Sequence, residues 1–222
     1  VCPHAAIRPF LLTGNEVKNA PSTLSSLKAT GKGLEELNFK IQVSVLDCTG
    51  CGNCADICPS KEKALIMKPL ETQMTESDHW NYLIALPEKK NILPLTTLKN
   101  SQFSKPLFEF SGACAGCGET PYTKLITQLF GDRMLIANAT GCSSIWGASA
   151  PSMPYCKNDA GRGPAWANSL FEDNAEYGLG MLLGTVQIRD KIEMYCHQLL
   201  QMPLQEDLKS ALTQWIENKN NG

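Results

Sequence analysis

"CTGCGNCADICP", residues 48 to 59, spaces four cysteines as C-x2-C-x2-C-x3-C and follows the last with proline. Thiolates two residues apart on a tight loop, with Gly50, Gly52 and small side chains between them, can converge on one face of an iron–sulfur cube; bulky spacers would obstruct that approach. Paired C-x2-C motifs also hold zinc, but three cysteines at two-residue spacing before Cys-Pro favour iron–sulfur. A disulfide staple fits worst, because the cysteines are clustered and no secretion signal is visible.

In the bacterial two-cluster pattern, three cysteines of a run hold one cluster and the fourth crosses to the other. Cys48, Cys51 and Cys54 then need a partner from a second run, and Cys58 needs a cluster of its own. "VCPHAAI" at the start echoes "ICPSKEKALI" at 57–66. This repeat makes Cys2-Pro3 the tail of an earlier run whose first three cysteines lie before residue 1. With no initiating methionine, the sequence is expected to be an interior piece of a longer polypeptide, with one full cluster site and a quarter of another.

At 222 residues the chain has room for one large or two modest domains. A formal charge of −2 and a pI near 6.0 give no electrostatic case for nucleic acid or an anionic membrane surface. No apolar stretch approaches the ~20 residues a bilayer crossing requires, so a soluble chain is expected. Ten cysteines without an export signal point to metal or redox chemistry in a reducing compartment.

Three sections follow from composition. Residues 1–69 read as the C-terminal part of a two-cluster ferredoxin-type domain, with "FKIQVSVLD" (39–47) as a strand into the cluster loop and "ALIMKPL" (64–70) as the return strand. Residues 70–110 read as a connecting arm whose short apolar patch, "WNYLIAL", docks on a neighbour. Residues 111–222 read as α/β. Thr120-Pro121 starts a helix with Leu125, Ile126 and Leu129 as its apolar face, and Gly131 closes it. "MLIANAT" is then a strand buried in a parallel sheet, with a functional loop at its carboxyl end. Further on, "WANSLFEDNAEYGLGMLLGTVQIRDKIEMYCHQLL" and "EDLKSALTQWIENK" carry helical periodicity.

A second cysteine constellation lies in that last section. Cys114 and Cys117 sit in "GACAGCGE", and Cys142 follows in "ATGCSS" after one helix and one strand. They form three ligands at one rim of a sheet, one short of a thiolate-held cluster. Cys156 is a candidate for the fourth; Cys196 falls in a predicted helix, where a buried thiol is the commoner role. Alone, "CAGC" is shared by redox pairs and zinc knuckles.

The stretch "SGACAGCGETPYTKLITQLFGDRMLIANATGCSSIWGASAPSMPY", with "GRGPAWANSLFEDNAEYGLGM", resembles the pyruvate:ferredoxin (flavodoxin) oxidoreductase or pyruvate synthase family. "VCPHAAIRP" and "DCTGCGNCADICP" match that family's two-cluster ferredoxin domain in the same order. The resemblance implies an α+β ferredoxin-like two-cluster segment followed by an incomplete α/β domain of the thiamine-diphosphate-binding type. It also implies a homodimer with thiamine diphosphate, magnesium and three [4Fe–4S] clusters per subunit. Pyruvate and coenzyme A would become acetyl-CoA and carbon dioxide, with electrons leaving for ferredoxin or flavodoxin. By this resemblance Cys2, Cys48, Cys51 and Cys54 hold one cluster and Cys58 ligates another. Cys114, Cys117 and Cys142 hold three corners of the cluster nearest the thiamine, whose fourth ligand is a distant cysteine outside these residues. Glu119 and Cys142 match positions that contact thiamine diphosphate. The family's Gly-Asp-Gly motif is absent from the 222 residues, so the piece alone is expected to be inactive. An anaerobe's cytoplasm is the expected setting, with a hydrogenosome-like organelle as the eukaryotic option. Other 2-oxo acid oxidoreductases and a stand-alone iron–sulfur carrier are the alternatives.

Several features read as bland. His4, His79 and His197 show no spacing for a metal or relay, and Asn138-Ala139-Thr140 is a chance sequon inside a strand. "GDR" at 131–133 is a turn, and "YGLG" at 177–180 permits close helix packing. "NDAGRGP" (158–164) is a loop whose Arg162 could meet an anionic group.

Overall fold

The computed structural model describes residues 1–89, 92–148 and 153–221. Three strands, β1 (Ile7–Leu12), β2 (Leu27–Lys28) and β3 (Asn38–Val43), form an antiparallel sheet ordered β1-β3-β2. β1 and β3 pair from Ile7↔Val43 to Leu12↔Asn38. Pro9 is tolerated in β1 because that strand lies at the sheet edge, where a missing N–H costs no ladder bond. β3 begins as the alternation of 39–47 predicts but ends at Val43.

A helix, α1 (Gly14–Asn19), follows β1 through a reciprocal cap: Glu16 N–H donates to Thr13 Oγ1 at 3.3 Å, and Thr13 N–H donates to Glu16 Oε2 at 2.7 Å. Leu11, Leu34 and Leu37 form the core beneath the sheet, with Phe39 and Phe103 packed edge to face on it. A short helix, α2 (Asn53–Asp56), belongs to the four-cysteine run.

The predicted return strand at 64–70 does not form: residues 65–69 have no regular structure. Lys68-Pro69 breaks the apolar run, and its side chains line a cavity instead of pairing with a sheet. The predicted arm contains α3 (Thr75–Ile84) and α4 (Leu98–Ser101). Its apolar patch docks on the sheet through Trp80 and Leu83, both buried. Trp80 meets Phe10 edge on, and the Arg8 guanidinium lies 5.0 Å from the Trp80 ring centroid. His79 is buried and satisfied, with Nε2 2.7 Å from Thr23 Oγ1 and Nδ1 3.1 Å from Glu76 Oε2.

In the last section, α5 (Thr120–Phe130) starts at Thr120-Pro121 and ends at Gly131 as predicted. Its buried face is the other one, however: Thr120, Lys124, Thr127 and Gln128 point inward, while Ile126 is exposed and Leu125 and Leu129 are only half-buried. A polar anchoring network explains the inversion. Lys124 Nζ donates to Gln102 Oε1 at 3.0 Å, and Gln128 Nε2 donates to the Ser104 carbonyl at 2.8 Å. Gly131–Arg133 is a 3-10 turn.

β4 (Leu135–Ala139) pairs with β5 (Ala165–Ser169), and α6 (Cys142–Ala148) follows β4 directly. Among the described residues this sheet has two strands and Leu135 is exposed, so β4 is not the buried strand of a covered sheet that its composition predicts. α7 (Asn174–Leu200) runs unbroken through its glycines, and α8 (Glu206–Asn218) follows. The chain divides into two compact units, residues 1–136 with 140–166 and residues 137–139 with 167–222. In the second, a side chain at Gly178 would meet the Ala137 Cβ at an ordinary 3.5 Å and one at Gly180 would meet nothing within 4 Å, so the close packing expected of the 177–180 glycines is not required among the described residues. Asn138 of the sequon is buried and donates to Asn168 Oδ1 at 2.8 Å, which removes it as a modification site.

Candidate metal centres

Cys2, Cys48, Cys51 and Cys54 line one cavity of ≈360 Å³, closed on another side by the apolar stretch Ala64–Met67. Gly50 and Gly52 take left-handed backbone angles, φ 69° and 80°, which wrap the 48–54 loop around this space. Burial pushes the Cys54 thiol up, and the charges of Cys2 and Cys48 push the same way, so the three sulfurs share one electrostatic environment. A tetrahedral zinc with bonds of about 2.3 Å would draw its sulfurs to within about 4 Å of one another. Among the described residues no three His, Cys, Asp or Glu side chains gather to hold a single ion. Four thiols lining one partly apolar cavity are a donor set that suits a [4Fe–4S] cluster.

Cys58 does not line this cavity. It sits beyond α2, where its sulfur accepts the Ala64 N–H at 3.2 Å. That donor, with the N–H groups of Ser60 and Leu65 and the charge of Lys63, holds its thiol below the ordinary range. Cys58 is thus separate from the cavity that Cys48, Cys51 and Cys54 line.

The 114–117 loop is a tight turn in which Cys117 N–H donates to the Cys114 carbonyl at 3.0 Å. Partial burial pushes the Cys117 thiol up, but the backbone N–H groups of Thr120 and Glu119 outweigh it and hold the thiol below its usual value. At Gly116, φ is 78°. A Cβ placed there would lie 3.6 Å from Asn53 Nδ2 and 3.9 Å from the Cys51 Cβ. The two cysteine loops, more than fifty residues apart in sequence, therefore lie side by side, with room for about a methyl group between them at Gly116.

Cys142 opens α6 and is exposed, as is Cys114. The helix is tied toward the 114–119 loop one turn later: Trp146 Nε1 donates to Glu119 Oε2 at 3.4 Å, and Trp146 packs edge on against Phe108. Glu119 thus occupies the junction between the C-x2-C loop and the helix that carries Cys142.

Cys156 is set apart from these groups. Its thiol donates to the Pro106 carbonyl at 3.5 Å, and burial pushes its pKa up to about 12. Cys196 on α7 is buried as well. Arg162 stands in a turn ordered by Asn158, whose Oδ1 accepts the N–H groups of Ala160 and Arg162 at 3.0 and 3.1 Å.

Three residues escape a reading of the sequence. His4 is buried at the cavity wall, with Nδ1 donating to the Ser111 carbonyl at 3.0 Å and Nε2 left without a protein partner. Lys124 is 7% exposed, and desolvation by burial lowers its pKa to about 8 despite the nearby Cys2 charge. A lysine on an amphipathic helix reads as solvated; only its i, i+3, i+4 spacing with Thr127 and Gln128 could have signalled burial. Asn53 hides inside the cysteine motif as a spacer. No described helix is long and apolar enough to cross a membrane.

A 4Fe-4S binding domain model matches residues 41–61, which include the 48–58 run. The chain is 57% identical over its whole length to a pyruvate-flavodoxin oxidoreductase from Enterobacter agglomerans, of which it spans 19%. It is 56% identical over 99% of its length to a pyruvate:ferredoxin oxidoreductase from Moorella thermoacetica, again spanning 19% of that protein. Its identity to a pyruvate dehydrogenase [NADP(+)] from Cryptosporidium parvum is 52% over the whole chain, which spans 13% of that protein. The chain thus covers about a fifth or less of the relatives it matches.

Proposed function

We propose that this chain, homologous along its whole length to pyruvate:flavodoxin and pyruvate:ferredoxin oxidoreductases, is an electron-conducting segment of such an enzyme. The full reaction would convert pyruvate and coenzyme A to acetyl-CoA and carbon dioxide, releasing a proton and two electrons. The electrons would leave one at a time for ferredoxin or flavodoxin. The observation that carries this reading is the close approach of the 114–117 cysteine loop to the 48–54 loop at Gly116 and Asn53. A simple electron carrier, which can already hold two clusters on two crossed cysteine runs, would have no need of a third cluster beside a cofactor loop.

Residue roles follow from position. Cys2, Cys48, Cys51 and Cys54 would hold one cluster, and Cys58 would supply one ligand to another. Cys114, Cys117 and Cys142 would supply three ligands to a third. Bound [4Fe–4S] clusters supply one-electron chemistry at potentials set by burial and by hydrogen bonds to sulfur. The Ala64 N–H on Cys58 is such a hydrogen bond. Thiamine diphosphate would supply a stabilised carbanion equivalent. This chain offers it Glu119 and Cys142 but no Gly-Asp-Gly diphosphate and magnesium motif. Glu119, carboxylate outward and bonded to Trp146, is unsuited to a diphosphate without intervening positive charge, so we place its contact elsewhere on the cofactor. In this reading residues 1–69 end a two-cluster ferredoxin-type domain, 70–110 connect, and 111–222 begin a thiamine-diphosphate-binding domain. A homodimer in an anaerobic cytoplasm completes the proposal.

The terminal acceptor admits a second reading. The Cryptosporidium parvum relative, whose name specifies NADP(+), is nearly as similar here as those named for flavodoxin and ferredoxin. The acceptor would then be decided by parts of the protein outside this segment.

The test is anaerobic purification of the full-length protein, with iron, acid-labile sulfide and zinc analysis. Pyruvate- and coenzyme A-dependent reduction of ferredoxin, flavodoxin and NADP+ would be assayed alongside. Iron and sulfide in equal amounts with pyruvate-dependent reduction is the expected result. Zinc without labile sulfide would sink the iron–sulfur assignment, and a preference for another 2-oxo acid would reassign the substrate.

A further inference from the structure

We propose that His4 is a positioning residue: its imidazole ties the turn that carries Cys2 to the segment that leads into Cys114, and so holds the two cysteine centres in register for electron transfer between them. The proposal rests on the cluster reading above.

Cys2, Pro3, His4 and Ala5 form one tight turn, in which the Ala5 N–H donates to the Cys2 carbonyl at 3.4 Å and Ala5 closes with φ 53°. Pro3 stands second in that turn, where its fixed φ is favoured. The His4 backbone is therefore held in a set relation to that of Cys2. From this turn His4 reaches the 110–111 segment twice. Its carbonyl accepts the Phe110 N–H at 2.9 Å, and its Nδ1 donates to the Ser111 carbonyl at 3.0 Å. A carbonyl only accepts, so the ring proton on this side sits on Nδ1. Nε2 is buried without a protein partner and adds no bond to the fastening. His4 and Ser111 are 4% and 6% exposed, so a lost bond here is not replaced by water. Phe110 has φ 53°, a conformation that a bulky residue keeps only where its surroundings impose it. The two His4 bonds, to its own N–H and to the next carbonyl, grip it from both sides.

The loop beyond has little else to hold it. From Ser111 to Gly116, the His4 imidazole makes the only hydrogen bond arriving from outside the loop among the described residues. Within the loop, Cys117 N–H closes on the Cys114 carbonyl, and downstream the chain enters α5 at Thr120. Cys114 thus lies three residues from an anchor that itself stands two residues from Cys2. Removing the Nδ1 bond releases the approach to Cys114 without touching a cysteine. Electron transfer slows steeply as two centres separate, so a loosened 114–117 loop would be felt in the rate.

The test compares His4→Asn, whose amide nitrogen falls where Nδ1 stands, with His4→Gln, whose amide nitrogen falls where the partnerless Nε2 stands. Both keep the backbone carbonyl that holds Phe110; they differ in whether the Ser111 carbonyl is met. Both are made in the full-length, cluster-loaded enzyme. Three readouts are taken: iron and labile sulfide per subunit, the magnetic splitting between reduced centres by electron paramagnetic resonance, and the rate of intercentre electron transfer after rapid mixing. The expected result is full iron content in both variants, an unchanged splitting and rate for His4→Asn, and loss of the splitting with a slower rate for His4→Gln. The proposal is overturned if Gln leaves splitting and rate unchanged, or if Asn loses them as Gln does, since the Nδ1 bond would then not be what matters. Loss of iron in either variant also overturns it, by making His4 a requirement for cluster assembly. Absence of labile sulfide from the unsubstituted enzyme would instead strike at the cluster reading itself.

Discussion

Trp146 donates its indole N–H to the Glu119 carboxylate across 3.4 Å, one helical turn beyond Cys142. The bond fixes where α6 meets the 114–119 loop, so under the proposed ligand set it would govern how Cys142 is presented to Cys114 and Cys117. Trp146→Phe removes the donor while keeping an aromatic ring against Phe108. It is expected to lower stability by about 1 kcal/mol. Trp146→Ala also empties the packing and should cost about 3–5 kcal/mol. Denaturant titration of the three proteins checks this, and a Phe variant indistinguishable from the parent would deprive the hydrogen bond of any role.

Thiol labelling separates ligand cysteines from structural ones. In cluster-free folded protein at pH 8, Cys58 should alkylate early, because backbone donors lower its pKa. Cys156, pushed up to about 12 by burial, should remain unlabelled until the protein unfolds. Timed iodoacetamide labelling read by peptide mass spectrometry gives the order directly; early labelling of Cys156 would return it to the candidate ligands.

Lys124 gives a pH-dependent prediction. Its folded pKa of about 8 lies below the unfolded value of 10.5 because burial penalises the ammonium. For a cation with a depressed pKa the penalty is fully present below pH 8 and fades as pH rises toward 10.5, where both states are neutral. Lys124→Met should therefore stabilise the cluster-free chain by about 3 kcal/mol at pH 7. The gain should shrink steadily above pH 8. Paired unfolding titrations at pH 7 and pH 10 measure it; a gain independent of pH would assign the effect to packing.

Gly163 abuts a carbonyl. A Cβ there would come within 2.3 Å of the Cys156 oxygen, a backbone atom that cannot swing aside. Gly163→Ala is expected to cost about 2–3 kcal/mol as an overpacked site. Gly14→Ala, with nothing within 4 Å, should be neutral or slightly stabilising. Thermal melts of the two variants should move apart, and equal melts would mean that the 156–163 loop relaxes freely.

Local signals in the sequence sufficed where a single residue type dictates the backbone. The cysteine spacing with Gly50 and Gly52 revealed the cavity loop, Thr120-Pro121 and Gly131 bracketed α5, and alternation revealed β3. Reading failed where tertiary contacts override pattern. β1, with Pro9 in its middle, is a strand only because β3 pairs with it. The apolar run at 64–70 wets no sheet because it faces a cavity. α5 leaves Ile126 exposed and its leucines half-buried because Lys124 and Gln128 are held inside by Gln102 and the Ser104 carbonyl. The approach of Asn53 to Gly116 had no local signature at all, since it lies between loops that only the fold brings together.

That reversed helix bears on engineering. Anyone cutting this region out as a portable redox module would inherit a surface on which Ile126 and Phe130 stand bare. Repainting them with glutamate or lysine is the natural remedy, whereas exchanging the inward Gln128 for leucine, as hydrophobic patterning would recommend, would remove its bond to the Ser104 carbonyl, one of the anchors that orient the helix.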